Sequence, residues 1–325
     1  MTRRVYPTPF VLRPPDDLPA TWPHLARAAA ELAHIYAKHD RVVSDEALAA
    51  IGGALWSALA AADPTLPERF DAARAAAGTF VLPLVVESGT ATVQLLPWEA
   101  LAHPTHGFLG RAPGFTLSRR LPGPAPDPGP PDRGPLRAVM FTCLPDDVDP
   151  EKSRLDVEEQ QAQALQALGA AITAGQVALR MPDDGRFATF EALIRDFDPH
   201  LVFLFAHGRF HNAAGQAEPP HAVLQFEAGD GGSNFVRDEA FAAAFAGSGI
   251  QCVVLAACES GKGDSAELAA GLAGRLARAG VPHVLGMRET ILARAGIAFN
   301  AAFGAAVGPP TEGAAGERVD VALQL

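Results

Sequence analysis

The sequence predicts an α/β protein: a mostly parallel sheet flanked by helices on both faces, preceded by an N-terminal helical and β-hairpin region. Three observations predict it. From about residue 136, short and almost continuously apolar runs alternate with stretches of helical period. Strands apolar on both sides belong to parallel sheets covered on both faces. Before about residue 78 the apolar spacing is helical throughout. Between the halves, residues 122–135 read "PGPAPDPGPPDRGP", a composition that holds neither a helix nor an interior strand. The boundaries are therefore 1–121 for the N-terminal region, 122–135 for a linker or loop, and 136–325 for the sheet domain.

Each element has its own warrant. "WPHLARAAAELAHIYAKH" sets Leu25, Ala29, Leu32 and Ile35 on one helix face. "DEALAAIGGALWSALAAA" repeats that spacing, with Ser44-Asp45-Glu46 as N-cap and first turn. "TFVLPLVVESGTATVQLLPWEAL" reads as two strands joined at Ser88-Gly89, a hairpin. Beyond the linker the strands are "LRAVMFTCL", "QVALRM", "HLVFLFAHG", "AVLQFE", "IQCVVLAAC" and "PHVLGM". The helices among them are "DVEEQQAQALQAL", "ATFEALIRDF", "RDEAFAAAFAG", "SAELAAGLAGRLARAG" and "ARAGIAFNAAFGAAV". Asp156, Glu158 and Glu159 suit the start of the first of these helices, where the dipole favours acids.

Composition excludes several classes of function. The chain has 325 residues, 48% hydrophobic and 19% charged, with a formal net charge of −11. Without a basic run or many aromatics it is not expected to bind nucleic acid. Runs such as "FVLPLVV" fall far short of the roughly 20 residues that cross a bilayer. No apolar stretch follows "MTRRVYPTPF", so neither a membrane nor a signal peptide is expected. Cys143, Cys252 and Cys258 are an odd set for a disulfide framework and are expected as reduced thiols in a cytoplasm. "GERVDVALQL" starts an amphipathic helix and stops short of completing it, so a trimmed chain, or one continuing into a regulatory domain, is expected.

In parallel sheets, sites form at the carboxyl ends of the strands. "LVFLFAHGRF" delivers His207 and then Gly208 to such an end, and "VVLAACESGKG" delivers Cys258. An imidazole can take the thiol proton or stabilise the thiolate. The N–H groups of Gly208 and Cys258 could form an oxyanion hole. Taken singly, each residue also has an ordinary reading, a packed thiol and a turn histidine.

These segments resemble the two signature segments of the CHAT domain, a caspase- and separase-like cysteine peptidase module of clan CD. The separation, 258 − 207 = 51, resembles the caspase spacing of about 50. "LPWEALAHPTHGFLGRAPGFTLSRRLP", "LAGRLARAGVPHVLGM" and "GIAFNAAF" extend the likeness over roughly residues 80–325. The resemblance implies a caspase-like fold and a protein-cleaving endopeptidase without a cofactor, commonly governed by an attached or associated sensor. Cys258 would be the nucleophile, His207 the base and acid, and Gly208 with Cys258 the oxyanion hole. One departure stands out: Ala293 occupies the position where relatives carry an aspartate that receives the residue before the scissile bond. Glu289 could replace that acid, or Arg288 could favour an acidic or neutral residue. Asp146 and Asp147, in "CLPDDVDPE", read either as a solvated loop or as an acidic rim of the substrate pocket.

Other readings remain at this stage. "ACESGKG" approaches a nucleotide-binding P-loop but has Ala256 for the first glycine and Gly263 for the hydroxyl residue. His207 and His211 have the i, i+4 spacing of two metal ligands on a helix, but Gly208 and the preceding strand argue against a helix there. His211 is expected in a loop, Cys143 as packing near the site and Cys252 as structural. A catalytically inactive scaffold or interaction module with the same fold is the remaining alternative.

Overall fold

The computed structural model describes residues 7–36, 43–123, 134–148, 155–211, 221–255 and 265–286. The described elements fall into two compact units, from Phe10 to Arg120 and from Leu136 to Gly286.

In the first unit a short strand β1 (Phe10–Leu12) precedes helices α1 (Leu18–Thr21), α2 (Pro23–Tyr36), α3 (Asp45–Ala62) and α4 (Leu66–Ala77). Ser44 caps α3 by accepting the Ala47 N–H at 3.2 Å, and Asp45 and Glu46 follow in the first turn, where they complement the helix dipole. Then come β2 (Leu82–Glu87), α5 (Ala91–Gln94), a 3₁₀ turn (Trp98–Ala100), β3 (Ala102–His103), β4 (Gly107–Phe108) and β5 (Phe115–Arg120). Strands β1, β2 and β5 form a parallel sheet with β2 in the centre. Its end is tied by Glu87, which accepts from Arg13 Nε at 2.8 Å and Arg120 Nε at 2.7 Å. Buried Trp98, Phe70 and Phe115 anchor the core, each worth about 2–3 kcal/mol of transfer free energy.

The hairpin expected at Ser88-Gly89 does not form. Both edges of β2 are already occupied by β1 and β5, leaving no ladder for a strand turning back. The chain instead makes α5, and Gln94 Nε2 donates to the carbonyls of Ser88 and Arg120. The small antiparallel pair in this unit is β3 with β4.

The second unit is built on β6 (Leu136–Thr142), α6 (Leu155–Thr173), β7 (Val177–Arg180), α7 (Phe187–Phe197) and β8 (Leu201–Phe205). It continues with β9 (His207–His211), β10 (His221–Glu227), β11 (Ser233–Arg237), α8 (Asp238–Ala243), β12 (Cys252–Leu255), α9 (Ser265–Arg278) and β13 (His283–Gly286). Five strands form a parallel sheet in the order β13-β12-β8-β6-β7. Central β8 reads LVFLF, buried at every position, as a strand covered on both faces must be.

The two faces separate cleanly. Val139, Phe141, Val202, Leu204, Val253 and Leu255 pack with Phe190 and Ile194 of α7 and Leu272 and Leu276 of α9. The alternate residues, Met140, Phe203, Phe205 and Val254, point the other way and are also buried. On that side Thr142 Oγ1 donates to Gln161 Oε1 of α6 at 2.6 Å. With α6 on one face and α7 and α9 on the other, this is a caspase-like α/β fold.

The run "AVLQFE" does not join the parallel sheet. As β10 it forms the middle of a separate antiparallel sheet, between β9 and β11. Its turn, "AGDGGS", has the glycines a hairpin needs, Gly231 at φ +90°. The helix expected at "ARAGIAFNAAFGAAV" lies outside the described residues.

Candidate active site

The strand order places a topological switch between β6 and β8. From β6 the chain crosses by α6 to β7 on one side, then returns by α7 to β8 on the other. Ligand sites in such sheets open at the carboxyl ends flanking the switch. Two residues that attracted attention in the sequence lie there: Cys143 follows β6, and His207 follows β8 after the single residue Ala206.

His207 is the first residue of β9 and pairs with Gln225 of β10; Gly208 pairs with Leu224. His207 is buried, with 7% of its surface exposed. His211 is the last residue of β9, opposite His221, in a strand where a loop was expected. Four residues along a strand span about 13 Å, too far for His207 and His211 to share a metal ion.

Cys143 donates its backbone N–H to Phe205 O at 2.8 Å, extending the β6–β8 pairing by one step. Its thiol is fully buried, and burial, reinforced by the nearby Glu227 carboxylate, pushes its pKa well up. Cys252 starts β12 at the opposite edge of the sheet, and burial raises its pKa strongly too. Both thiols are held neutral and enclosed, as poor nucleophiles. Cys258, Arg288 and Glu289 lie outside the described residues, as does "ACESGKG".

The edge around His207 is braced by groups the sequence reading passed over. Glu227, ending β10, accepts the Leu144 N–H at 3.0 Å and the Gly185 N–H at 2.8 Å. One carboxylate thus holds both the exit from β6 and the turn before α7. Gly185 is required by close approach: a Cβ there would stand 2.6 Å from Thr142 O and 2.8 Å from Cys143 Cα. The signal for both was present but faint, a glutamate closing an apolar strand and a glycine in "DDGR".

The acidic pair, read from the sequence as a solvated loop or a pocket rim, contacts the β10–β11 turn. Asp146 donates its N–H to Gly231 O at 2.9 Å. Asp147 accepts from the Ser233 N–H at 3.2 Å and from the Ser233 hydroxyl. Those bonds hold the Asp147 carboxyl below its ordinary pKa of 3.8, the Ser233 side chain contributing most. Ser233 Oγ in turn accepts from Gln225 Nε2 at 2.5 Å. Both aspartates are exposed, and Asp147 is engaged by the fold itself.

A parallel sheet with a histidine at its switch-point edge and an appended antiparallel sheet defines the protein as caspase-like in architecture. The chain belongs to the CHAT domain family, a caspase-like, peptidase-related family whose model matches residues 49–324. The match begins inside α3, so it reaches further toward the N-terminus than the span of about 80–325 read from the motifs. No curated protein matches the chain. Among the described residues, no single helix is long and apolar enough to cross a membrane.

Proposed function

We propose that the protein is a cysteine endopeptidase of protein substrates, working through Cys258 and His207. One observation carries this reading, the register of the two central strands. β12 and β8 pair from Cys252↔Leu201 to Leu255↔Leu204, a constant offset of 51. His207 and Cys258 are separated by the same number, 258 − 207 = 51. Each is three residues beyond the last paired position, so the ladder directs both chains toward the same edge. Elimination supports it as well, because Cys143 and Cys252 are enclosed and held neutral.

In the proposed reaction the Cys258 thiol gives its proton to His207, and the sulfur attacks the peptide carbonyl. The tetrahedral oxyanion is held by the backbone N–H groups of Gly208 and Cys258. The His207 imidazolium protonates the departing amine, and water then hydrolyses the thioester with His207 as base. Nothing in this sequence requires a metal or cofactor. Asp146, Arg288 and Glu289 are the proposed contacts for substrate side chains, and a regulatory domain or partner protein the proposed control.

The test is cleavage of a peptide library and of candidate partner proteins by the wild-type chain and by Cys258→Ala. Wild type is expected to cleave and the variant to lose at least about 1,000-fold in turnover. Equal cleavage by both would end the proposal. Native thiol labelling gives an independent check: one fast thiol, absent in Cys258→Ala, against three after denaturation.

A further inference from the structure

The antiparallel ladder pairs His207 with Gln225, and Gln225 with Phe235. Paired positions in antiparallel strands place their side chains on one face, so these three form a row across the sheet. Leu224, Phe226 and Val236 take the opposite face and enter the core. Exposure along the row rises from 7% at His207 and 7% at Gln225 to 50% at Phe235. The middle of the row is fixed, since Gln225 donates to Ser233, which is bound to Asp147. A half-exposed phenyl ring therefore stands on the histidine-bearing face, beside a rigid polar floor.

From this geometry we propose that Phe235 is a specificity residue, contacting an apolar side chain of the polypeptide substrate near the scissile bond. The inference rests on the peptidase reading above and adds a substrate preference to it. Strands lie about 4.8 Å apart, so Phe235 stands roughly 10 Å from His207 across the sheet. An extended substrate rises about 3.3 Å per residue, which puts the contacted residue about three positions from the cleaved bond. An apolar side chain there removes exposed ring surface from water, whereas a charged one would lose solvation against the ring.

The experiment profiles cleavage of a peptide library randomised at four positions on each side of the bond. It compares wild type, Cys258→Ala, Phe235→Leu, Phe235→Asp and Phe235→Arg, with melting curves for each. Wild type and Phe235→Leu are expected to favour apolar over charged residues about tenfold in kcat/KM at one position about three residues from the bond. Phe235→Asp should move that preference to basic residues and Phe235→Arg to acidic ones, so either folded variant suffices. Cleavage that needs Cys258 but keeps one profile in all Phe235 variants overturns the inference alone. Cleavage that persists in Cys258→Ala, or is absent from wild type, overturns the peptidase reading with it.

Discussion

The two ends of β8 carry histidines in different settings. At the amino end His200, just before Leu201, is buried and tied to its neighbours. Its Nδ1 accepts the Arg137 N–H at 3.2 Å, its N–H donates to Arg137 O at 2.8 Å, and its carbonyl accepts from Gln251 and Cys252. Beside it Asp198 accepts from Gly249 N–H and pairs with Arg137. At the carboxyl end the corresponding bracing comes from carboxylates, Glu227 and Asp147, which hold backbone N–H groups of the surrounding loops. The contrast is between a histidine whose Nδ1 fastens two strands and one proposed for chemistry.

Substituting the two histidines tests this contrast most severely. His207→Ala is expected to cut turnover at least about 100-fold, the contribution of a positioned acid–base group, with a smaller effect on unfolding. His200→Ala should do the reverse. It leaves the Arg137 N–H without its acceptor, which costs about 2 kcal/mol of stability, while the folded fraction keeps its turnover. Denaturant unfolding and turnover, measured on both proteins, decide it. Equal losses of stability with unchanged turnover would remove the distinction.

The bracing can be attacked directly, with the next largest effects. Gly185→Ala forces a Cβ to within 3 Å of the β6 backbone at Thr142 and Cys143, and backbone offers no side chain to swing aside. A loss of about 3 kcal/mol is expected, at the upper end for overpacking. Glu227→Ala leaves two backbone N–H groups without their acceptor and is expected to cost about 2 kcal/mol. Both should reduce turnover as well, because they loosen the loops around His207. A Gly185→Ala protein that melts with wild type would mean that the approach at this edge is not tight.

How much of this edge was legible in the sequence depended on who supplies the burial. The strands β6, β8 and β12 are apolar on both faces and announce themselves. Their shared carboxyl edge follows from parallel pairing, so His207 was legible as a site candidate before any fold was known. Strand β9, "HGRFH", was not legible as a strand, because it has no apolar run or alternation and is defined by its pairing with β10. β1 and β5 contribute Phe10, Leu12 and Phe115 to the core, but their apolar stretches, FVL and FTL, are too short to show a period. The Ser88-Gly89 turn misled because local turn chemistry cannot report that both edges of β2 are taken. Glu227 and Gly185 left only a faint local signal, since their role exists only where segments 42 residues apart in sequence meet.

The smallest expected effect belongs to Asp147, and pH reads it. Asp147 is exposed, and its hydrogen bonds with Ser233 hold its pKa below 3.8. A depressed carboxyl pKa stabilises the fold above the unfolded value, and that contribution is lost as pH falls through the folded value. The β10–β11 turn should therefore stay fastened at neutral pH and loosen only in strong acid, read as faster amide exchange at Ser233 below about pH 4. Asp147→Asn keeps an acceptor oxygen for the Ser233 N–H, so at pH 7 its melting temperature should stay within about 2 °C of wild type. Its exchange at Ser233 should then be independent of pH across the acid range, once the intrinsic chemical rate is divided out. If wild-type exchange at Ser233, corrected in the same way, is as independent of pH as the variant's, the Asp147 carboxylate does not fasten the hairpin through its charge.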